Sequence, residues 1–297
     1  MSKQPEINLV VTDLDNTLYD WVSSFVPSLY GMVAIASQIL DASEEQILDE
    51  LKLVHQRHHN SEHPFALLET NVVLERYPGI SRKELKHTLN DAFYRFNKLR
   101  KKNLKLYPLV RETLSKIQEM NCFIVAHTDA TLENILHRIK LLDLDKWIER
   151  FYTSPSSPSK EEHPDPRWLS GYDSFIELVR PLPQGHDKPD PAVLKDICDD
   201  YGIAAENTLY IGDSLTKDIV MAKLAGTHSA FAAYGKKFDP SYWDKLVRIT
   251  HWTEEDVDRE VYLKNKFQGV KADVELSRSF MEVLDYFKFS GKNKKYL

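Results

Sequence analysis

Apolar runs alternate with helical patterns along most of the chain. Short apolar runs predict β-strands at residues 7–12, 122–128, 208–212 and 227–233, with a weaker strand near Phe151–Thr153. Apolar residues spaced three and four positions apart predict the intervening helices, at 131–142, 190–201 and 216–225. Strands that alternate with helices favour an α/β fold built on a parallel sheet.

Residues 20–107 interrupt this alternation with a purely helical pattern. Ser43 with Gln46, and Ser81 with Glu84, have the spacing of a capping box that opens a helix. The segment 75–79, with its proline and glycine, predicts a break between helices. Further helical patterns at 239–297, including 279–287, are assigned to packing.

Two aspartates follow the first predicted strand. Side chains of a strand alternate with period two, so Asp13 and Asp15 leave the strand end on the same side, and Thr17 follows in the turn. Two carboxylates held this close repel each other unless one is protonated or a cation lies between them. Taken alone, the pair also suits a strand end with solvated acids.

Three more polar groups follow in order. Thr128 and Asp129 end the second strand, Lys188 precedes Pro189 at the start of a helical pattern, and the segment GDSLTKD at 212–218 supplies Asp213 and Asp218. Each alone also suits an ordinary turn or helix start. Because ligands of parallel sheets bind at the carboxyl ends of the strands, the ordered set predicts one site.

These four motifs, DLDNT at 13–17, Thr128, Lys188 and GDSLTKD, together resemble the phosphatase branch of the haloacid dehalogenase superfamily over residues 8–234. The resemblance implies a Rossmann-like parallel-sheet core with an inserted all-helical cap domain. We assign residues 1–19 and 108–297 to the catalytic core and residues 20–107 to the cap.

The resemblance also implies a role for each motif residue. Asp13 would attack phosphorus to form an aspartyl-phosphate, and Asp15 would act first as general acid and then as general base. Thr128 and Lys188 would bind the phosphoryl oxygens, and Thr17 and Asp129 are added as candidate substrate-binding residues. The aspartates and a phosphate bring several negative charges together while Lys188 offsets one, which predicts a Mg²⁺ cofactor. Its implied ligands are Asp13, the Asp15 carbonyl, Asp213 and Asp218.

Two features depart from this pattern or lie outside it. Asparagine commonly follows the motif threonine in this superfamily, whereas this chain has Asp129, whose charge would repel phosphate unless it is compensated. In the helical insertion, His55, His58 and His59 are predicted to share one helical face. Together with Arg57 they are interpreted as a substrate-contacting patch, with a metal site as the less favoured alternative.

Composition and net charge limit the class of protein and its expected location in the cell. The net charge of −6 gives no general attraction to nucleic acid, and the cysteines Cys122 and Cys198 predict no disulfide framework. No apolar run is expected to reach the length of a membrane span, and the N-terminal residues do not resemble a signal peptide. These observations predict a cytoplasmic enzyme acting on a small molecule, and they leave the oligomeric state open. The proline-rich segment 154–186 is interpreted as a lid edge or a surface excursion.

The leading functional hypothesis is a Mg²⁺-dependent phosphatase of small phosphomonoesters. The DNTLY wording is similar to nucleotidase members of the superfamily, so a pyrimidine nucleotide 5′-phosphatase is the first substrate hypothesis, followed by sugar phosphates and phosphoglycolate. A dehalogenase is disfavoured, because those enzymes lack an aspartate at the position of Asp15, and a mutase is less favoured than a phosphatase. From another class, the chain would be a non-catalytic phosphate-binding regulatory protein.

Overall fold

The computed structural model describes residues 4–154 and 171–291. The described residues fall into two units, each made of more than one chain segment. The first unit draws on Met1–Asp20, Lys105–Lys237 and Leu263–Leu297, and the second on Trp21–Leu104 and Phe238–Tyr262.

Parallel strands form the centre of the first unit. In chain order they are β1 (Glu6–Ile7), β2 (Leu9–Thr12), β3 (Phe123–Thr128), β4 (Arg150–Thr153), β5 (Val179–Pro181), β6 (Thr208–Gly212), β7 (His228–Phe231), β8 (Val274–Glu275) and β9 (Lys288–Phe289). β1 pairs with β9, and the other seven form one sheet in the order β5-β4-β3-β2-β6-β7-β8. The parallel sheet confirms the predicted α/β, Rossmann-like fold class.

Helices surround these strands and also make up the second unit. The α-helices of the described residues are α1 (Trp21–Leu40), α2 (Glu44–Arg57), α3 (Asn71–Arg76), α4 (Arg82–Thr88), α5 (Asn90–Asn103), α6 (Val110–Glu119), α7 (Leu132–Leu142), α8 (Asp173–Ile176), α9 (Pro191–Tyr201), α10 (Val220–Ala225), α11 (Ser241–Ile249), α12 (Glu254–Lys266) and α13 (Val283–Tyr286). α1 to α5, α11 and most of α12 belong to the second unit.

The middle of the main sheet is buried on both faces. Every residue of β2, β3 and β6 is buried, which explains why these strands are continuous apolar runs rather than alternating ones. β2 lies between β3 and β6, and Thr12 is paired with Ala126 on one side and Ile211 on the other. The chain segments that follow these three strands therefore meet at one edge of the sheet.

Some elements differ from the sequence prediction. The helix predicted at 216–225 begins with a π-helical turn, Leu215–Ile219, before α10. The helical pattern at 279–287 is a 3₁₀ turn, Phe280–Glu282, followed by the short α13. The proline-rich segment contains α8 and the edge strand β5, whereas its residues 155–170 lie outside the described part of the chain.

The second unit has its own apolar core. α1 packs along α5, and its buried residues join those of α2 in one cluster. Both predicted helix starts are present: the Ser43 hydroxyl accepts a hydrogen bond from the Gln46 amide, and Ser81 and Glu84 form a full capping box. These caps satisfy amide groups that a helix N-terminus otherwise leaves without a partner.

The length and apolarity of α1 correct one expectation. Its 20 residues are long and apolar enough to cross a membrane by length and composition, although no such run was expected. Half of the most apolar stretch is buried in the protein. Burial in the core of the second unit is a sufficient physical reason for this composition.

The second unit also includes residues 238–262, which the sequence analysis assigned to the core domain. Leu246 and Ile249 of α11 are buried in the apolar cluster formed by α1 to α5. A helical apolar pattern shows that one face of a helix is buried but not which partner covers it. The role of the second unit as a cap stays a prediction.

Candidate active site

The turn after β2 holds Asp13 in a fixed, buried position. The Asp13 amide donates a hydrogen bond to the Ile211 carbonyl of β6 at 2.8 Å. Asn16 turns the chain with a φ of 58°, which brings Thr17 back so that its hydroxyl donates to Asp13 Oδ2 at 3.2 Å. The Tyr234 hydroxyl donates to the Thr17 carbonyl at 2.5 Å and holds this turn from the other side.

Lys188 connects two of the predicted motifs. Its buried ammonium lies 2.6 Å from Asp13 Oδ1 and 2.9 Å from Asp218 Oδ1. Burial alone would lower the pKa of Lys188, but the charges of Asp13 and Asp218 raise it well above its ordinary value. Lys188 is therefore permanently protonated, and its ammonium group lies beside the carboxylate of the candidate nucleophile.

Opposing electrostatic effects act on the carboxyl group of Asp13. Burial raises its pKa well above the ordinary range, Lys188 lowers it, and the carboxylates of Asp218 and Asp213 raise it further. One ammonium group thus offsets only part of the cost of an ionised Asp13. Additional positive charge beside these carboxylates would favour the ionised form.

Three carboxylates form a candidate metal centre. Asp13, Asp213 and Asp218 each offer an oxygen atom, and these oxygens lie within 4.8 Å of one another. The Ser214 amide and the Tyr210 hydroxyl donate to Asp218 at 2.9 Å and 3.3 Å, so this side chain has a fixed orientation. A set of carboxylate oxygens fits Mg²⁺, which prefers oxygen ligands.

Asp15 contacts a residue that the sequence analysis did not select. Arg138 of α7 is almost fully buried, and its guanidinium lies 3.2 Å from Asp15 Oδ2 and over the ring of Tyr19. The ion pair thus places positive charge beside the candidate acid and base. An arginine in a helix is usually solvated, so nothing in the sequence indicated that Arg138 would lie at the site.

Thr128 and Asp129 lie at the end of β3, next to the end of β2. Thr128 is buried, and its Oγ accepts a hydrogen bond from the Ala130 amide at 3.1 Å, which leaves the hydroxyl hydrogen to donate. Asp129 Oδ2 lies 3.3 Å from the ammonium of Lys217. The structure therefore provides a partner for the carboxylate that departs from the family pattern.

The charge count at the site differs from the one made from sequence. Besides Lys188, three basic residues pair with site carboxylates: Arg138 with Asp15, Lys217 with Asp129, and Lys236 with Asp213. Within the part of the chain that the structure describes, five aspartates therefore face four cations, and the excess negative charge is smaller than predicted. A phosphate group that binds here adds negative charge again. The prediction of a divalent cation therefore depends on the charge of the substrate as well as on the aspartates.

The expected histidine face in the second unit is wrong. α2 ends at Arg57, so His58 caps the helix and His59, with a φ of 48°, already lies beyond it. His55 points inward, where Nδ1 lies 2.6 Å from the Ile249 carbonyl. Arg57 lies in the last turn of α2, in the second unit, and its contact with substrate stays a prediction.

His58 instead forms a group with two residues that the sequence analysis missed. Its Nε2 lies 2.8 Å from one oxygen of Glu69, and His63 Nε2 lies 3.0 Å from the other oxygen. The two rings stack face to face, with centroids 3.6 Å apart. His58, His63 and Glu69 each offer a ligand atom, and these atoms lie within 4.8 Å of one another, so the group is a second candidate metal site among the described residues.

The parallel sheet with acidic residues at its carboxyl edge is typical of α/β enzymes, and comparison with known proteins identifies the family. The family model described as haloacid dehalogenase-like hydrolase matches residues 7–226. The chain therefore belongs to the haloacid dehalogenase-like hydrolases. This confirms the resemblance given by the four motifs and the prediction of a hydrolase.

Two curated relatives match parts of the chain. Phosphoglycolate phosphatase from Rhodospirillum rubrum is 34% identical over 85 residues, which cover 28% of this chain and 35% of the relative. N-acetylmuramic acid 6-phosphate phosphatase from Pseudomonas aeruginosa is 28% identical over 147 residues, or 48% of this chain and 62% of the relative. The chain thus aligns with about a third and about three fifths of these two proteins.

Solved structures support the fold. A 2-haloacid dehalogenase from Pseudomonas syringae superposes with a TM-score of 0.53 at 15% identity, covering 94% of this chain and 97% of that chain. A haloacid dehalogenase phosphatase from Thermococcus onnurineus gives a TM-score of 0.51 at 14% identity, covering 95% and 100%. At these identities the likeness concerns the fold alone.

Proposed function

We propose that the protein is a Mg²⁺-dependent phosphatase that hydrolyses a small phosphomonoester through an aspartyl-phosphate. The observation that carries this proposal is the position of Asp13, a buried carboxylate held by Thr17 and Lys188 within reach of two further carboxylates. A phosphate-binding protein without catalysis has no use for an anionic group aimed at the phosphate, because it would repel the ligand.

In the first step an Asp13 oxygen attacks phosphorus while the bond from phosphorus to the leaving oxygen breaks. Asp15 gives its proton to that oxygen, so the product leaves as an alcohol. Lys188 and the Thr128 hydroxyl stabilise charge on the phosphoryl oxygens. Mg²⁺ held by Asp13, the Asp15 carbonyl, Asp213 and Asp218 would supply further positive charge to those oxygens.

In the second step water attacks the phosphorus of the aspartyl-phosphate. Asp15, now ionised, accepts a proton from this water, and the bond between phosphorus and the Asp13 oxygen breaks. Inorganic phosphate leaves and Asp13 is regenerated as a carboxylate. The Arg138 guanidinium, 3.2 Å from Asp15 Oδ2, lies beside the carboxyl group that exchanges the proton in both steps.

The substrate we propose is a sugar phosphate or phosphoglycolate. Support comes from the two curated relatives, which are named as phosphatases of phosphoglycolate and of N-acetylmuramic acid 6-phosphate. A nucleotide 5′-phosphate rests only on the wording of the first motif and becomes the second hypothesis. A cytoplasmic location and a small-molecule partner remain part of this proposal.

The basic test is turnover of p-nitrophenyl phosphate and of a panel of phosphorylated metabolites, with and without Mg²⁺. We expect Asp13→Asn to abolish turnover and chelation of Mg²⁺ to abolish that of the wild type. Lys116→Met, which changes an exposed residue of α6, is the matched control and should retain full activity. Full activity in excess EDTA, or in Asp13→Asn, contradicts the proposal.

The role of Asp15 is tested by changing the leaving group. An alkoxide must be protonated as it leaves, whereas p-nitrophenolate leaves without help, so Asp15→Asn should slow the first step far more for an alkyl phosphate. With the aryl phosphate, rapid quench should show accumulation of phosphoenzyme, and the steady-state rate should fall about 10²- to 10⁴-fold. Equal slowing of the first step with both substrates, and no trapped phosphoenzyme, would make Asp15 a metal-site or structural residue.

A further inference from the structure

The ion pair between Asp129 and Lys217 crosses the end of the strand that carries the nucleophile. Asp129 follows β3, and Lys217 lies in the π-helical turn that follows β6. β3 and β6 are the two neighbours of β2 in the sheet. A contact of 3.3 Å between these side chains therefore spans the carboxyl end of β2, where Asp13 lies.

Lys217 is held from its own backbone as well. Its amide donates a hydrogen bond to the Ser214 hydroxyl at 3.2 Å, which fixes the first turn after Asp213. The side chains of Lys217 and Asp129 are each about two fifths exposed. The backbone of Lys217 is thus held in place, while the charged ends of both side chains are open to solvent. A ligand that enters at this edge of the sheet can therefore reach them.

Electrostatics couple this pair to the nucleophile. Burial would raise the pKa of Asp129, but Lys217 and then Lys188 lower it below its ordinary value. Asp129 is therefore an ionised carboxylate, and it lies within electrostatic reach of the lysine that contacts Asp13. Without a cation beside it, such a carboxylate would repel a phosphate dianion near Asp13.

We propose that Asp129 and Lys217 act as one phosphate-positioning unit, in which Asp129 holds the Lys217 ammonium over the end of β2 and Lys217 binds a phosphoryl oxygen. This inference rests on the proposed function and adds a binding residue to it. It also gives Asp129 a defined part, that of a positioning residue acting through Lys217.

The test is a double-mutant cycle on Asp129→Asn and Lys217→Met, with kcat and KM measured for p-nitrophenyl phosphate in saturating Mg²⁺. Lys217→Met alone should raise KM about 10-fold with little change in kcat, because it removes the ammonium that binds the phosphoryl oxygen and leaves the Asp129 carboxylate without its cation. In a protein that already carries Asp129→Asn, the same substitution should raise KM less than about 3-fold. Lys217→Arg should keep most of the affinity.

The coupling between the two substitutions decides the proposal. Equal effects of Lys217→Met with and without Asp129→Asn would mean that the residues act independently and would overturn it. A fall in kcat with unchanged KM, or loss of affinity in Lys217→Arg as large as in Lys217→Met, would do the same. Lys116→Met provides the matched removal of an exposed lysine in the same unit and should leave KM unchanged.

A binding measurement separates this inference from the proposed function. Calorimetric titration with inorganic phosphate in the presence of Mg²⁺ should show the same coupling between the two substitutions. Absence of phosphatase turnover in the wild type would end the proposed function. Phosphate binding that is uncoupled in the cycle would end the inference while leaving the phosphatase intact.

Discussion

Gly212 shows how closely the metal-site residues pack. A Cβ atom at this position would overlap the Asp218 side chain, which the Ser214 amide and Lys188 hold in place. At the residue scale, the glycine of GDSLTKD is therefore required, because the Asp218 side chain, six residues further along the chain, occupies the space that a Cβ atom would need. The glycine allows Asp213 and Asp218 to share one small volume.

We expect Gly212→Ala to displace Asp218 and weaken metal binding. The Mg²⁺ concentration for half-maximal activity should rise about 10- to 100-fold, which is typical when the orientation of a ligand is lost. Activity measured against Mg²⁺ concentration checks this, with thermal unfolding in EDTA as the control for folding. An unchanged Mg²⁺ requirement would show that Asp218 adapts to the methyl group or does not bind the metal.

At this scale the sequence predicted the acidic residues of the site better than the basic ones. Asp13 and Asp213 lie in motifs at strand ends, where a parallel sheet brings polar groups together, and Lys188 lies in a motif before a helix. Arg138 and Lys236 come from a helix and a 3₁₀ turn with no motif, and most basic side chains in such places are solvated. Their contacts depend on the folded sheet and could not be inferred from spacing.

At the scale of elements, His55 links α2 to α11. Its Nδ1 donates to the Ile249 carbonyl at the end of α11, and the ring is almost fully buried. Burial lowers the pKa of His55 to about 4, although the bond to Ile249 opposes this. The neutral ring is therefore the form that the folded second unit requires.

This predicts a pH dependence of stability for the second unit. The unfolded chain protonates His55 near pH 6.5 and the folded unit only near pH 4, so stability is fully present above pH 6.5 and falls as the pH drops towards 4, by about 3 kcal/mol. Hydrogen-exchange protection of α2 and α11 peptides, measured from pH 7 to 4, checks it. These peptides isolate His55 from the buried His127 of the first unit, whose pKa is also lowered.

His55→Asn is the matched variant, since the asparagine amide still donates to the Ile249 carbonyl but does not titrate. Its protection in α2 and α11 should depend less on pH than that of the wild type over this range. An identical pH dependence in both proteins would assign the effect to other groups and refute the role of His55.

Two eleven-residue helices and two fully buried strands were predicted well, because a helical spacing or a continuous apolar run marks each of them. α7, α9 and the strands β3 and β6 lie close to their predicted positions. β1, β8 and β9 have two residues each, which is too short for any alternation to be visible. They exist because the rest of the sheet or a distant strand offers backbone partners.

At the scale of the whole molecule, distant segments complete the second unit. Ile249 is fully buried in a core otherwise formed mainly by residues 21–104. Ile249→Ala should destabilise this unit by about 2 to 4 kcal/mol, which is typical for a large-to-small change in a core. Protection of α1 and α5 in hydrogen exchange should fall.

Val247→Ala in the same helix is the control, because Val247 is 40% exposed and its loss should cost far less. The comparison removes the effect of changing helix propensity within α11. If both variants left α1 and α5 equally protected, α11 would pack on the surface of the helical unit and would not be part of its core.

The pairing of β1 with β9 and the place of α11 in the second unit have a consequence for biosynthesis. A ribosome delivers residues 21–104 long before residues 238–262, so the nascent helical segment exposes the surface that Leu246 and Ile249 later cover. The first strand, β1, likewise has no strand partner until residues 288–289 have been synthesised. Neither unit can therefore complete its native contacts before these later segments have been synthesised.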